Sequence, residues 1–302
     1  ALVVCVATGY GAYTLAGYSW NQVVGYKSRY AELDVPASDA PPSLHSPVND
    51  TARISALVIV DGLRYDASLK MDTLNSLRAR GADFKLTVQQ PSLSYPNWTT
   101  ILSGAPQYVS GVVTNWHEGA SPVETLLDTR PKVRPTAVVG PEDLRPLFVA
   151  PRSGETSPDP DPPVTFMAEW TGDYMSATYV DEALKLAGKE TATGLLILHL
   201  PDIDEVGHAD GGSSPEYAET VAKVDADLGR LVEGLGDDAN ILVVADHGHI
   251  GIGGHGGWEA EVVTVPFAAA GPNIRKSSGE GLLEQVAPTF AQVASFARPR
   301  HG

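Results

Sequence analysis

The 302-residue sequence holds a single cysteine, Cys5. No disulfide can form within the chain, and no cysteine-based zinc site can be built. Any metal has to be held by His, Asp and Glu. Basic residues are scarce too: 21 Lys and Arg stand against 37 Asp and Glu, giving a formal charge of −16 and a pI of about 4.8. That balance argues against electrostatic binding to a nucleic acid polymer or an anionic bilayer surface. An anionic substrate stays compatible, because a bound cation inverts the local field. No internal repeat is present. Charge is missing altogether from Ala1 to Tyr26. What is there, 43% hydrophobic and 19% charged residues, describes a globular chain long enough to bury a sizeable core.

Residues 1–30 read as a membrane anchor or a terminal helix. The uncharged run is long enough to span a bilayer, but Gly, Thr, Tyr and Asn make it only moderately apolar. The chain starts without Met, as a fragment or a processed form does. Residues 31–52 read as a linker, broken by Pro36, Pro41, Pro42 and Pro47. Residues 53–302 read as one α/β domain.

Three apolar runs have the composition of parallel strands buried on both faces: Ala56–Val60, Leu195–Leu200 and Ile241–Ala245. Each ends in groups able to bind metal. The first delivers Asp61, at the carboxyl tip where α/β sheets place their ligands. The second runs into Asp204 and His208, four residues apart across an expected glycine turn at Gly207. The third delivers Asp246 and His247, and a glycine-rich turn brings back His255, nine positions after Asp246. Oxygen and nitrogen donors of this kind suit a borderline divalent ion. The bland alternative for the last stretch is a buried strand followed by a solvated His-rich loop. Three aspartates and three histidines are about the inventory that two divalent ions with open positions require.

Pro96 fits the first turn of a helix, which places Ser94 just ahead of its N-terminus. Backbone N–H groups there favour an anionic oxygen. The local alternative is that Ser94 is a plain N-cap. The loop from Gly104 returns an amide, Asn115. Further helices are expected over Leu69–Arg80, Tyr174–Leu186, Ser214–Leu235 and Leu282–Phe296, and strands over Phe84–Val88, Thr136–Val139 and Val262–Phe267. Pro266 assigns the last of these to an edge or a bulge. Pro151–Pro163 reads as an exposed loop.

These motifs together resemble the alkaline phosphatase superfamily, in its type I phosphodiesterase/nucleotide pyrophosphatase branch. The resemblance rests on Val58-Ile-Val-Asp61-Gly-Leu-Arg, Ser92-Leu-Ser94-Tyr-Pro-Asn, Gly111-Val-Val-Thr-Asn115, Asp204-Glu-Val-Gly-His208, Asp246-His247-Gly and His255-Gly-Gly. It implies a three-layer α/β/α sandwich around a mostly parallel sheet, and a metal-dependent hydrolase of phosphate esters. It implies two divalent ions, zinc first and manganese second. Asp204, His208 and His255 would hold one, and Asp61, Asp246 and His247 the other, with Ser94 between them. Ser94 would be the nucleophile that becomes phosphoseryl, and Asn115 with the Ser94 N–H would bind phosphoryl oxygens. The implied substrate is a small-molecule or lipid-linked phosphate ester in an extracytoplasmic setting, and the N-terminal segment leaves membrane anchoring open beside it.

Many relatives carry Thr where this chain has Ser94; either hydroxyl serves the chemistry. The sulfatase pattern Cys/Ser-x-Pro-x-Arg is not met, because Trp98 stands in place of the Arg. His249 stands where relatives often carry Met, and is expected to line the loop. Three other readings are set against diester hydrolysis. One is a membrane-associated phosphotransferase of the phosphoethanolamine type, kept open by the N-terminal segment. Another is a monoesterase, which would need a further cation near the site; Arg64 is the candidate. The third, an inactive binding module, is opposed by the presence of all seven expected metal and nucleophile side chains.

Overall fold

The computed structural model describes residues 2–32, 52–131, 136–142, 144–148, 174–188 and 194–302. Seven strands form one sheet: β1 (Ile54–Val60), β2 (Ala82–Thr87), β3 (Thr136–Val139), β4 (Leu195–Leu200), β5 (Ala239–Val244), β6 (Thr264–Ala270) and β7 (Ser277–Leu282). Their order is β3-β4-β1-β5-β6-β2-β7. β1 pairs in parallel with β4 and β5, β3 with β4, and β2 with β7; only β6 runs against its neighbours. Every residue of β1, β4 and β5 is buried, as their unbroken apolar runs predict. Helices cover both faces. The helices Asp72–Arg80, Ser176–Ala187 and Pro215–Leu235 pack as one layer, and Ser94–Ser103 with Val286–Val293 as the other. The expected three-layer α/β/α sandwich is the observed fold.

This order puts the carboxyl ends of β4, β1 and β5 side by side. β2 has the same direction, so the segment leading to Ser94 emerges at the same end of the sheet. The antiparallel β6 starts there, which brings the His255 loop to that edge.

Pro266 is not at an edge. β6 lies between β5 and β2, with Pro266 opposite Lys85. Its carbonyl accepts from the N–H of Ala245, one residue past the end of β5. In an antiparallel pair a residue directs N–H and C=O to the same side. The missing donor therefore falls where β5 has already ended, and no ladder bond is lost inside the sheet. The segment expected as strand from Val262 begins with a helical turn, Ala260–Val263, before β6. The last helix is shorter than expected: β7 takes Ser277–Leu282, and Pro288 is the third residue of Val286–Val293.

At the N-terminus a helix covers Leu2–Val24. Among the described residues no helix is long and apolar enough to cross a membrane. Its far end is tied to the domain: Trp20 packs on Trp116 with ring centroids 5.4 Å apart, and the Ser28 hydroxyl donates to the Tyr108 carbonyl at 2.5 Å. Most of the expected 31–52 linker, and the 151–163 loop, lie outside the described residues.

Candidate metal centre

At the end of β1, Asp61 is followed by Gly62, whose φ of +71° turns the chain sharply. A side chain on Gly62 would put its Cβ 2.7 Å from Asp204 Cα, so glycine there lets the β1 and β4 exits touch. Asp204 and His208 do not flank a turn. They sit one helical turn apart on Asp202–Asp210, a helix that runs through Gly207, with His208 Nε2 3.5 Å from Asp204 Oδ2. The i, i+4 spacing stacks both on one face. The absent side chain at Gly207 leaves room for the His249 ring: a Cβ there would lie 2.5 Å from His249 Cδ2.

Ser94 is the first residue of the helix Ser94–Ser103; the cap position belongs to Leu93, which makes no side-chain cap hydrogen bond. The plain N-cap alternative is therefore not what the structure has. The Ser94 hydroxyl faces inward instead, 3.2 Å from His247 Nε2. Asn115 Oδ1 accepts from the Tyr95 N–H at 3.0 Å, which leaves the amide Nδ2 as its donor beside the same helix start.

The six remaining expected residues fall into two adjoining groups. In one, His247 Nε2 lies 3.3 Å from Asp61 Oδ1 and 3.5 Å from Asp246 Oδ2. In the other, His255 Nε2 lies 3.1 Å from His208 Nε2 and 3.7 Å from Asp204 Oδ1. The groups touch: the His247 and His255 rings stack with centroids 3.7 Å apart, and Asp204 Oδ1 is 3.9 Å from His247 Nε2. The metal-binding atoms of Asp61, Asp246 and His247 all lie within 4.8 Å of one another, as do those of Asp204, His247, His249 and His255. The histidines of this loop are not solvated ones, since His247 and His249 are fully buried.

Two observations fit these side chains to cations. Asp61 Oδ1 and Asp246 Oδ2 are buried acceptors with no hydrogen-bond partner. Leaving such atoms bare costs on the order of 1–3 kcal/mol each or more when charged. A divalent ion against both would remove that cost. The second observation is the histidine orientation. Nδ1 of His255 lies 2.9 Å from the Ser92 carbonyl and Nδ1 of His247 3.3 Å from the Gly248 carbonyl. A carbonyl can only accept, so each ring keeps its proton on Nδ1 and turns a bare Nε2 into the site.

The electrostatics agree. Burial, with Asp246 and Asp204 close by, raises Asp61 well above the carboxylate range. Burial, reinforced by Asp204, pushes Asp246 up to about 7. Burial also opposes ionisation of Asp204, but the hydrogen bond with His249 works against it, and this carboxyl lies below its usual range. Burial lowers both His247 and His255, which keeps them neutral and able to ligate. A cluster of buried carboxylates that resist ionisation is the electrostatic complement of a missing positive charge.

Two further residues belong to the site. His199, within β4, places Nε2 2.9 Å from Asp61 Oδ2, and burial lowers its pKa to about 3. A neutral ring here donates to Asp61 and turns its other oxygen towards Asp246 and His247. The clue is register: His199 lies opposite Ile59 on the parallel strand β1, two residues before Asp61. Asn97 donates Nδ2–H to the Asp246 carbonyl at 2.7 Å and accepts from Gln107 at 3.0 Å, tying the Ser94 helix to the end of β5. Arg64 is committed elsewhere. Its guanidinium pairs with Asp66 at 2.8 Å and reaches the carbonyls of Gly212 and His249.

Comparison with known proteins adds the family. A family model described as type I phosphodiesterase/nucleotide pyrophosphatase matches residues 55–256. GPI ethanolamine phosphate transferase 1 of Mus musculus is 25% identical over 259 residues, covering 76% of this chain and 27% of the transferase. The chain thus spans about a quarter of the length of such curated relatives. Among solved structures, murine ectonucleotide pyrophosphatase/phosphodiesterase 5 superposes with a TM-score of 0.64 at 13% identity, covering 81% of this chain and 96% of that one. Alkaline phosphatase from the Antarctic bacterium TAB5 gives 0.56 at 12% identity, covering 82% and 99%. A variant of that phosphatase has been solved with magnesium bound.

Proposed function

The chain belongs to the type I phosphodiesterase/nucleotide pyrophosphatase family, and from that premise we propose that it is a divalent-metal hydrolase of phosphate diesters with Ser94 as nucleophile. One observation carries the reading: the Ser94 hydroxyl, uncommitted to helix capping, lies against His247 beside two buried carboxylate oxygens without partners. Asp61, Asp246 and His247, together with Ser94, would hold one ion; Asp204, His208 and His255 would hold the other. The mixed carboxylate and imidazole donors support zinc first and manganese second. Bound ions would supply Lewis-acid polarisation of the phosphoryl group and charge stabilisation at the attacking and leaving oxygens.

The chain's own residues account for the rest. Ser94 Oγ forms a bond to phosphorus as the ester oxygen leaves with the bonding pair and takes up the proton the serine hydroxyl gives up, giving a phosphoseryl group and a free alcohol or phosphate. The Ser94 N–H at the helix start and the Asn115 Nδ2–H are the donors for the phosphoryl oxygens as their charge grows. Water then attacks phosphorus and Ser94 is released. Arg64 is paired with Asp66 and so is not free to meet the extra charge of a monoester, which favours diesters.

A second reading, transfer of the phosphoryl-linked group to an alcohol in place of water, draws support from the mouse transferase and from the rim of the site. Trp116 follows Asn115, and Ile252 and Trp258 flank His255; these three side chains are 61%, 91% and 81% exposed. Exposed large apolar groups at a mouth suit a lipid-linked substrate or acceptor. An extracytoplasmic setting belongs to the same proposal.

A panel of aryl phosphate monoester, diester and sulfate ester, assayed with zinc or manganese and with an added alcohol, tests both readings. Turnover is expected for the diester first and none for the sulfate. Alcohol-linked product in excess of free hydrolysis product establishes transfer. No turnover of any phosphate ester with either metal defeats the proposal.

A further inference from the structure

His249 is buried completely and touches the centre, and its Nε2 lies 2.6 Å from Asp204 Oδ1. By distance alone it belongs with the ligands, since its donor atom falls in the cluster with Asp204, His247 and His255. Its other nitrogen decides otherwise. Nδ1 of His249 receives the Gly254 N–H at 3.2 Å. A backbone amide can only donate, so Nδ1 must carry the lone pair. In a neutral imidazole the single proton is then on Nε2, pointed at Asp204. His247 and His255 have the reverse arrangement, with Nδ1 against a carbonyl and Nε2 bare.

We infer that His249 is a positioning residue, which donates Nε2–H to Asp204 Oδ1 and does not ligate an ion. The inference rests on the metal-centre reading above and deepens it. Asp204 stands between the two groups, 3.5 Å from His208 on one oxygen and 3.7 and 3.9 Å from His255 and His247 on the other. A carboxylate so placed can swing towards either group unless something fixes it. The His249 hydrogen bond occupies one lone pair of Oδ1, sets the plane of the carboxylate and leaves Oδ2 turned to His208. His199 stands in the same relation to Asp61, at 2.9 Å. Each group thus has one carboxylate oriented by a buried histidine that is not among its ligands. The imidazole of His249 fits a slot made for it: a side chain at Gly207 would collide with the ring, and one at Gly212 would come within 2.9 Å of its Cβ.

The tautomer is directly measurable. Long-range proton–nitrogen correlation spectra of the 15N-labelled chain, metal-free and loaded with 113Cd, read which ring nitrogen holds the proton and which is bonded to cadmium. His249→Gln identifies the His249 signals by their disappearance. The expected result is a protonated Nε2 and a bare Nδ1 for His249 in both samples, with cadmium coupling at His208, His247 and His255 and none at His249. Cadmium coupling at His249, or a proton on its Nδ1, overturns the inference. If the chain takes up no cadmium, the metal-centre reading fails separately, and the metal-free spectrum still decides the tautomer. Variants give a second readout. Gln can donate from the Nε2 position and Leu cannot. Zinc affinity is expected to fall about 10- to 100-fold in His249→Leu, the range for loss of a residue that orients a ligand, and to recover most of that in His249→Gln. A ligand role predicts instead that both variants lose one zinc ion outright.

Discussion

Replacing Ser94 by alanine is expected to lower turnover of a phosphate diester on the order of 10⁴-fold or more, with stability kept within about 1 kcal/mol of the parent. The two halves of this expectation come from the same geometry. Ser94 is the first residue of its helix, Leu93 occupies the cap, and the serine side chain makes no cap hydrogen bond. Its loss therefore forgoes none of the roughly 1 kcal/mol that a capping hydroxyl supplies. What is lost is the oxygen that sits 3.2 Å from His247 Nε2. The parent enzyme, quenched with acid during turnover, should carry phosphate on the peptide containing Ser94, and the variant should not. Metal content should be unchanged. Steady-state activity within about tenfold of the parent would refute covalent catalysis by this residue.

Asp246→Asn should separate stability from activity in opposite directions. Asp246 is fully buried, and its Oδ2 has no partner. In the metal-free chain burial and the nearby Asp204 raise its pKa from 3.8 to about 7. A raised folded-state value means that the folded chain holds the proton more tightly than the unfolded chain. Its stabilising contribution is complete below the unfolded value and lost as pH rises through the folded one. The metal-free parent should accordingly lose stability as pH climbs through about 7, and the asparagine variant, which has no such proton, should lose less. With zinc present the order reverses. The parent gains stability from bound ions, whereas the variant lacks one anionic ligand, holds about one ion in place of two, and turns over at least about 10³-fold more slowly. Thermal melts from pH 5 to 8, with zinc and with a chelator, check both halves; a variant as active and as zinc-stabilised as the parent would remove Asp246 from the centre.

Those two residues were legible because their positions follow from simple rules. Asp246 ends an apolar run too continuous for anything but a strand buried on both faces, and Ser94 precedes a proline that fits a helix start. Asp61 and His247 were readable on the same grounds. Where the reading failed, a tertiary contact had overruled a local rule. Gly207 suggests a turn because glycine weakens a helix, yet the helix runs through it, and the glycine is there because the His249 ring takes the space a side chain would need. Pro266 looked like an edge residue because proline lacks a donor, but its missing bond falls beyond the end of β5. β7 escaped notice because Ser277–Leu282 is a partly exposed edge strand with two glycines and no apolar alternation. His199 was hidden inside an apolar strand; nothing local marks it, and only its register beside β1 brings it to Asp61. The role of His249 depends on which atom of which neighbour faces each ring nitrogen, and no sequence pattern records that.

The division of the glycine loop between two ions is the claim on which the rest depends. Asp246 and His247 are placed with Asp61 and Ser94, while His255 is placed with Asp204 and His208, although all three residues come from one short stretch of chain. Anomalous diffraction at the zinc edge from crystals of the zinc-loaded protein tests it most directly. Two peaks are predicted, one bonded to Asp246 and His247 and the other to His255. A single peak bonded to Asp246, His247 and His255 together would contradict the account.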